Sequence, residues 1–191
     1  MTNVFNFHKP KTAAQWIIFL AAVGISLSSP YGTRRFFKEL DKYLSEKRSD
    51  EREFDKRKLT QALYYLKKRK IIEFKENSGK IILVLTKKGK KRKLDYDFEA
   101  MQIQKQQTWD KKWRLLMFDI PEFKKSAREM FRDKLKEIGF IQFQKSVWIH
   151  PFPCENEIDF ISEYFSIAPY ITFLTVNIEN DVPLRENFNL I

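Results

Sequence analysis

The chain has 191 residues, with 36 Lys and Arg against 25 Asp and Glu, and a formal net charge of +11. This length fits one ordinary domain or two small ones, and 43% hydrophobic residues exclude a disordered basic tail. A single cysteine excludes an internal disulfide, and two histidines argue against a zinc site built from Cys and His. These features predict a folded cytoplasmic protein with an anionic partner.

The surplus positive charge is concentrated in one segment of the sequence. Residues 66–94 hold 12 basic and 2 acidic residues, whereas residues 151–191 hold 1 basic and 7 acidic ones. Charge spread evenly for solubility would not differ so strongly between two segments. The asymmetry predicts a part of the chain that meets polyanions, followed by a part with another task.

An apolar run near the N-terminus, residues 13–27, predicts a first helix over residues 12–27. The run is shorter than the roughly 20 residues that span a bilayer. The residues that follow it, 26–30, make a poor signal-peptide cleavage site. Three alternatives stay open for the run: a buried helix, a contact with a partner subunit, or a membrane anchor.

Two further helices are predicted, over residues 33–46 and 55–68, with Asp55 as the N-cap of the second. The leucines and Ala62 of the second helix share one face at helical spacing. The opposite face therefore carries four polar residues: Arg57, Gln61, Tyr64 and Lys68. Such a face can contact base edges and phosphates in a major groove, and it also resembles any solvated helix face.

A two-stranded hairpin is predicted next, with strands at 71–75 and 80–86 and a turn at 76–79. Three helices followed by a hairpin is the order of a winged helix-turn-helix, in which the third helix reads DNA and the hairpin contacts the backbone. Residues 55–93, closing in LTKKGKK, resemble that family.

The resemblance places Lys75 and Lys80 on the wing. A basic cluster lies beyond the second wing strand and reads either as a solvated linker or as a phosphate-binding segment. Its members are Lys87, Lys88, Lys90, Lys91, Arg92 and Lys93.

Residues 1–93 are thus predicted as a winged-helix domain, residues 94–112 as a helical linker and residues 113–191 as a second domain. The second domain begins with an apolar strand at 113–121 and has the element order β-α-β-β-α-β, the ferredoxin-like split arrangement. Its first helix ends at Gly139 and carries a predicted core face: Ala127, Met130, Phe131, Leu135 and Ile138. The fold class is therefore α+β.

The second domain is similar to the central domain of the PaaX-type transcriptional repressors, which is related to the small ferredoxin-like endonuclease of CRISPR adaptation. The similarity covers about residues 113–177 and rests on FDIP, LKEIGF and FQKSVWIHP. PaaX-type repressors also carry a winged helix before this domain. They usually carry a further C-terminal domain, so the resemblance implies a shortened member.

The resemblance implies a double-stranded DNA-binding repressor that forms a homodimer through the ferredoxin-like domain and needs no cofactor for binding. DNA contacts are expected from the exposed helix face, the wing and the basic cluster. These residues are Arg57, Gln61, Tyr64, Lys68, Lys75, Lys80, Lys87, Lys88, Lys90, Lys91 and Lys93.

The alternative is a magnesium-dependent endonuclease of DNA or RNA. In the CRISPR nuclease relatives the aspartate that ends the first strand is the proposed metal ligand, paired across a dimer interface, and Asp119 matches it. One carboxylate per chain would then suffice, since two-fold symmetry supplies another. Asp119 can equally be interpreted as a residue that caps the turn before Pro121. Glu122 can be interpreted as an acidic residue that the helix dipole favours in a first turn.

Two other reactive side chains stand in the second domain. His150 reads either as an accessory proton carrier or as a structural residue at the end of a strand. Cys154 is predicted to be a small buried residue, because no histidine stands at a spacing that would activate its thiol as a nucleophile.

Overall fold

The computed structural model describes residues 10–23, 26–27, 56–77 and 80–190. The chain divides between Glu99 and Ala100 into two compact units. Each unit combines helices with an antiparallel sheet, so the α+β class is confirmed. The helix predicted at 33–46 and the N-cap Asp55 lie outside the described residues.

The described part of the first unit contains three helices and three strands. In chain order these are α1 (Ala13–Val23), β1 (Ser26–Leu27), α2 (Lys56–Lys68), β2 (Ile72–Asn77), β3 (Lys80–Leu85) and α3 (Lys87–Ala100). The strands form one antiparallel sheet in the order β1-β3-β2. Strand β2 runs through Asn77, two residues beyond the prediction, and Ser78 and Gly79 lie outside the described residues.

The apolar first helix lies in the core of the first unit. Ile17, Ile18 and Leu20 are each at most 2% exposed and pack with the leucines of α2 and the buried residues of the sheet. Among the described residues, none of the helices combines the length and the apolar character that a membrane span requires. Helix α1 ends at Val23 instead of residue 27, and Ser26 and Leu27 pair with β3.

The second unit contains a four-stranded antiparallel sheet in the order β5-β6-β4-β7. Its elements are β4 (Trp113–Phe118), a 3-10 turn (Glu122–Lys124), α4 (Lys125–Glu137), β5 (Ile141–Gln144), β6 (Val147–His150), α5 (Glu155–Tyr164), a 3-10 turn (Ala168–Tyr170), β7 (Ile171–Val176) and α6 (Val182–Asn187). The first strand lies between the third and the fourth, which is the split β-α-β-β-α-β arrangement.

Helix α4 packs on the sheet through Phe131 and Leu135, both fully buried, and the ring of Phe131 lies 5.3 Å from that of Phe118. Met130 was predicted on this core face, but its side chain is 48% exposed. The prediction was wrong because Met130 directly precedes Phe131, and one helical step of 100° carries it toward the edge of the face.

A hydrogen-bond network holds the segment before β4 to the second unit. The buried guanidinium of Arg114 makes two bonds to the carboxylate of Asp110, at 2.7 and 2.8 Å, and one to the carbonyl of Pro151. The bond to Arg114 lowers the pKa of Asp110. The indole of Trp113 donates to Asp181, which also binds Arg185 of α6. The segment between α3 and β4 is therefore anchored at its end.

Candidate nucleic-acid interface

Helix α2 has one buried face and one exposed polar face. Leu59, Leu63 and Leu66 are at most 5% exposed, because their spacing places them all against the core. The opposite face is exposed along the whole helix, and the ring of Tyr64 is 69% exposed. The residues predicted to face a nucleic acid are all exposed: Arg57, Gln61, Tyr64 and Lys68.

The C-terminal end of α2 is strongly basic and tightly capped. Residues 67–70 read Lys-Lys-Arg-Lys and are all exposed. The amide of Lys70 donates to the carbonyl of Lys67, and the amide of Ile71 donates to that of Leu66. This pair of bonds is a Schellman cap, whose C′ residue has a positive φ. That residue is Lys70, with φ 54°, a conformation that costs a side-chain-bearing residue about 1 kcal/mol.

The basic cluster beyond the wing is the first half of helix α3, whereas the sequence predicted a solvated linker or a phosphate-binding segment there. Its N-cap is Thr86, whose hydroxyl accepts a hydrogen bond from the amide of Gly89 at 3.1 Å. Five of its basic residues are exposed: Lys87, Lys88, Lys90, Lys91 and Arg92. Lys93 is half-buried and pairs with Asp97 one turn along the helix. Lys87, Lys90 and Lys91 share a face, at spacings of three and four.

The charges of α3 run against its helix dipole. Its first turn contains no acidic residue and its last turn no basic one. Lys87, Lys88 and Lys90 lie in the first turn, at the positive end, and three acidic residues follow toward the negative end: Asp95, Asp97 and Glu99. Like charges near a helix end cost typically 0.3–1 kcal/mol each at the surface. An anion bound at the basic end offsets this cost.

The ends of α2 and α3 meet at a tight junction. The hydroxyl of Thr86 donates to the carbonyl of Lys70 at 2.6 Å, and the amide of Thr86 donates to the carbonyl of Ile71 at 3.1 Å. Gly89 is buried against the same carbonyl, and a Cβ there would stand 1.9 Å from the oxygen of Ile71. Residues 67–70 and 87–91 are thereby neighbours in space.

We call this junction and its cations the basic junction. It comprises nine basic residues from two segments, 66–72 and 86–92, that contain no acidic residue. They are Lys67, Lys68, Arg69, Lys70, Lys87, Lys88, Lys90, Lys91 and Arg92. Lys67, Arg69 and Lys70 were not among the predicted site residues, although Thr86 is a recognisable N-cap signal before the second run.

The two predicted wing residues are not members of the basic junction. Lys75 lies on β2 and forms an ion pair with Glu73 at 3.2 Å, both side chains being exposed. Lys80 begins β3, and its side chain lies outside the described part of the chain.

Asp119 lies exposed just after β4, where its amide donates to the carbonyl of Tyr170. The following 3-10 turn has Pro121 as its N-cap and no side-chain cap. Glu122 binds Arg128 at 2.8 Å, which lowers the pKa of the glutamate. Across the residues that the structure describes, no group of three or more His, Cys, Asp and Glu side chains is placed to hold a metal ion.

His150 and Cys154 are both buried. The ring of His150 lies within 6 Å of three phenylalanine rings, and its Nδ1 is 3.2 Å from the amide of Phe152. Burial lowers the pKa of His150 to about 4, so the ring is neutral at pH 7. Burial raises the pKa of the Cys154 thiol. These are the surroundings of packed structural residues.

Comparison with protein families agrees with the fold of the second unit. Residues 106–187 match the family model described as the PaaX protein central Cas2-like domain. The fold and this match define the class of the second unit, which is a Cas2-like domain. The match supports a PaaX-type protein and confirms the resemblance predicted for this part of the chain. A comparison with curated proteins finds no match.

Proposed function

We propose that the protein is a transcriptional regulator that binds double-stranded DNA through its first unit. The observation that carries the proposal is the basic junction, whose nine cations stand on two adjoining helix ends. DNA presents one negative charge per about 1.7 Å of its helix axis, so such a surface gains affinity by displacing counterions. The PaaX-type match of the second unit is consistent with a regulator.

The first unit acts as a winged helix in this proposal. Helix α2 enters the major groove with Arg57, Gln61 and Tyr64, while the hairpin of β2 and β3 contacts the backbone. Support comes from the exposed polar face of α2 and from the hairpin that follows it directly. Helix α3 supplies sequence-independent phosphate contacts, and binding offsets the charge arrangement that its dipole disfavours.

The test is a gel-shift titration on mixed-sequence duplex DNA over a series of salt concentrations. The triple variant Lys87→Ala/Lys90→Ala/Lys91→Ala should reduce the slope of log K against log salt by roughly 3, at about 0.9 per lost phosphate contact. The matched control removes three exposed lysines of the second unit: Lys111→Ala/Lys125→Ala/Lys136→Ala. An equal decrease of the salt slope in both triple variants would show that net charge alone sets the affinity, and it would contradict the proposed surface.

Base reading is tested separately. Gln61→Ala/Tyr64→Ala should lower the preference among sequences in a selection from random duplexes, while leaving the salt slope nearly unchanged, because base contacts release few counterions. An unchanged sequence preference would contradict the recognition of bases by α2.

We also propose that the Cas2-like unit forms a homodimer, which would present two reading helices to a two-fold site. Light scattering during size-exclusion chromatography measures the mass directly. A monomer at the concentrations that bind DNA would contradict this part of the proposal.

A magnesium-dependent nuclease is the alternative function, and the exposure of Asp119 at the end of β4 favours it. A lone carboxylate can hold Mg²⁺ only together with waters, substrate phosphate or the Asp119 of a second copy. Running the titration with Mg²⁺ and with EDTA separates the functions. Fragments in the Mg²⁺ lane alone, absent for Asp119→Ala, would establish cleavage.

A further inference from the structure

The geometry of the basic junction points to a further DNA contact and to the residue that positions it. We infer that Lys70 binds the phosphate backbone, and that Thr86 holds it beside the lysines of α3 so that both helix ends contact one stretch of backbone. This inference rests on the proposed DNA binding.

Thr86 joins the two helix ends through five hydrogen bonds, two of which link its hydroxyl to the carbonyl of Ile71 at 3.2 Å and its own carbonyl to the amide of Lys90 at 2.9 Å. Its hydroxyl donates to the carbonyl of Lys70 at 2.6 Å and accepts the amide of Gly89 at 3.1 Å. Its own amide donates to the carbonyl of Ile71 at 3.1 Å. One threonine therefore both caps α3 and fixes the residue that ends α2.

Gly89 lets the two helix ends approach more closely than a residue with a side chain would allow. A Cβ at this position would overlap the carbonyl oxygen of Ile71, at 1.9 Å. The hydrogen of glycine fits there, so α3 begins directly against the peptide bond that follows Ile71. The lysines at 87, 90 and 91 are thereby held at a fixed place relative to Lys70.

Lys70 itself occupies a backbone conformation that disfavours side chains, with φ 54°. A glycine would adopt this conformation without strain. The chain therefore carries an exposed cation at a position where it lowers stability, between two other runs of exposed cations. A DNA-contact role predicts that removing this side chain improves folding and weakens binding.

Rigid placement of these lysines matters because ordering flexible side chains opposes binding. A junction that fixes the backbone of Lys70 and of α3 leaves only the side chains to order on the phosphates. Loosening the junction should therefore reduce the number of phosphates contacted at once, which the salt slope measures.

The first experiment replaces Lys70 by glycine in the full-length chain and measures urea unfolding together with the salt slope on mixed duplex DNA. Lys70→Gly should raise the unfolding midpoint and reduce the slope by about 1. The matched control is Lys111→Gly, because Lys111 is also exposed, with φ 60°, and lies in the second unit. It should raise the midpoint equally and leave the slope unchanged.

The second experiment tests positioning with Thr86→Val, which keeps the shape and removes the hydroxyl, and with Thr86→Ser, which restores the hydroxyl. We expect the valine variant to reduce the slope by about 1 and the serine variant to recover it. Thr172→Val makes the same change at an exposed position of β7 and should leave binding unchanged. In the Thr86→Val background, Lys70→Gly should cause little further loss, because coupled residues are not additive.

The outcomes separate the two levels of the argument. A wild-type chain that fails to bind duplex DNA overturns the proposed function. If the wild-type chain binds DNA, and the α3 triple variant lowers the salt slope but Lys70→Gly does not, the inference alone is overturned. Additive losses for Thr86→Val and Lys70→Gly, or no recovery in Thr86→Ser, overturn the positioning role. If Thr86→Val does not fold, the Lys70→Gly and Lys111→Gly pair still decides the contact.

Discussion

Two helix ends in this molecule have the same hydrogen bonds and different residues at the decisive position. At the end of α2 the amides of Lys70 and Ile71 close the cap, and at the end of α4 those of Gly139 and Phe140 do so. The backbone has φ 54° at Lys70 and φ 97° at Gly139. The second unit thus ends α4 with the residue that fits this conformation best, although it ends α5 and α6 with Ser166 and Asn189 at φ 54° and 52°. The first unit ends α2 with a lysine beside other cations.

The two caps differ in their surroundings. Gly139 stands where a glycine relieves strain, and its surroundings include the buried ring of His150. Lys70 stands where a glycine would relieve strain, and its surroundings are exposed lysines. A strained backbone position motivates a hypothesis of function, which the Lys70 variants test.

The largest expected effect comes from Gly89→Ala at the basic junction. The added methyl would overlap the carbonyl of Ile71 at 1.9 Å, and backbone cannot move aside as a flexible side chain can. We expect a loss of about 3 kcal/mol in the free energy of unfolding, at the upper end of overpacking effects. Hydrogen exchange, read on peptides from each unit, should show the loss in the first unit. A loss below about 1 kcal/mol would contradict the close approach of α3 to Ile71.

The next effect distinguishes the units by pH. Burial lowers the folded pKa of His150 to about 4, below the ordinary value of 6.5. The unfolded chain therefore binds the proton first, and stability that is complete above pH 6.5 is lost as the pH falls toward 4. We expect the second unit to lose roughly 2–3 kcal/mol over this window.

Urea titrations at pH 7 and pH 4.5 check this expectation, and His150→Phe should flatten the dependence because the ring packs among phenylalanines. The described part of the first unit contains no histidine. A second unit equally stable at both pH values would show that His150 does not titrate with a depressed pKa.

A smaller effect is expected at the cap of α4. Gly139→Ala places a side chain at φ 97°, while its Cβ would find ordinary space 3.6 Å from His150. The cost is therefore conformational strain alone, about 1–2 kcal/mol. Urea unfolding should show Gly139→Ala to be milder than Gly89→Ala. The reverse order would mean that steric overlap at Gly89 is relieved by movement of α3.

The smallest effect has the opposite sign. Lys70→Gly should raise the free energy of unfolding by about 0.5–1 kcal/mol, since relief of strain is partly offset by the greater freedom of glycine in the unfolded chain. The shift in the urea midpoint measures this gain, provided that the dependence of the unfolding free energy on urea concentration is unchanged. A destabilised Lys70→Gly would mean that the lysine side chain packs usefully, and the comparison of the two caps would lose its meaning.

Much of the fold follows from periodicity in the sequence. The leucine spacing of α2, the hairpin and the β-α-β-β-α-β order all appear in the structure, because each element buries one regular face. The candidate contacts of α2 could be named for the same reason, as the face opposite the leucines.

Helix α3 was harder to predict. Its first eight residues, KKGKKRKL, contain six cations and a glycine, which locally favour a loop. The helix forms because Thr86 caps it and because Gly89 fits against Ile71, which stands 18 residues earlier in the chain. The convergence of residues 67–70 with 87–91 depends on that contact, so sequence spacing alone could not reveal it.

The contact between two indoles has a spectroscopic consequence. The rings of Trp109 and Trp113 lie 5.0 Å apart at an interplanar angle of 61°. Of the chain's four tryptophans, these two and Trp148 stand in the second unit, and Trp16 stands in the first. Electronic transitions of indoles this close couple, so the near-ultraviolet circular dichroism should carry a strong band from the second unit. Melting followed at that band would report one half of the chain, and the far-ultraviolet signal would report both.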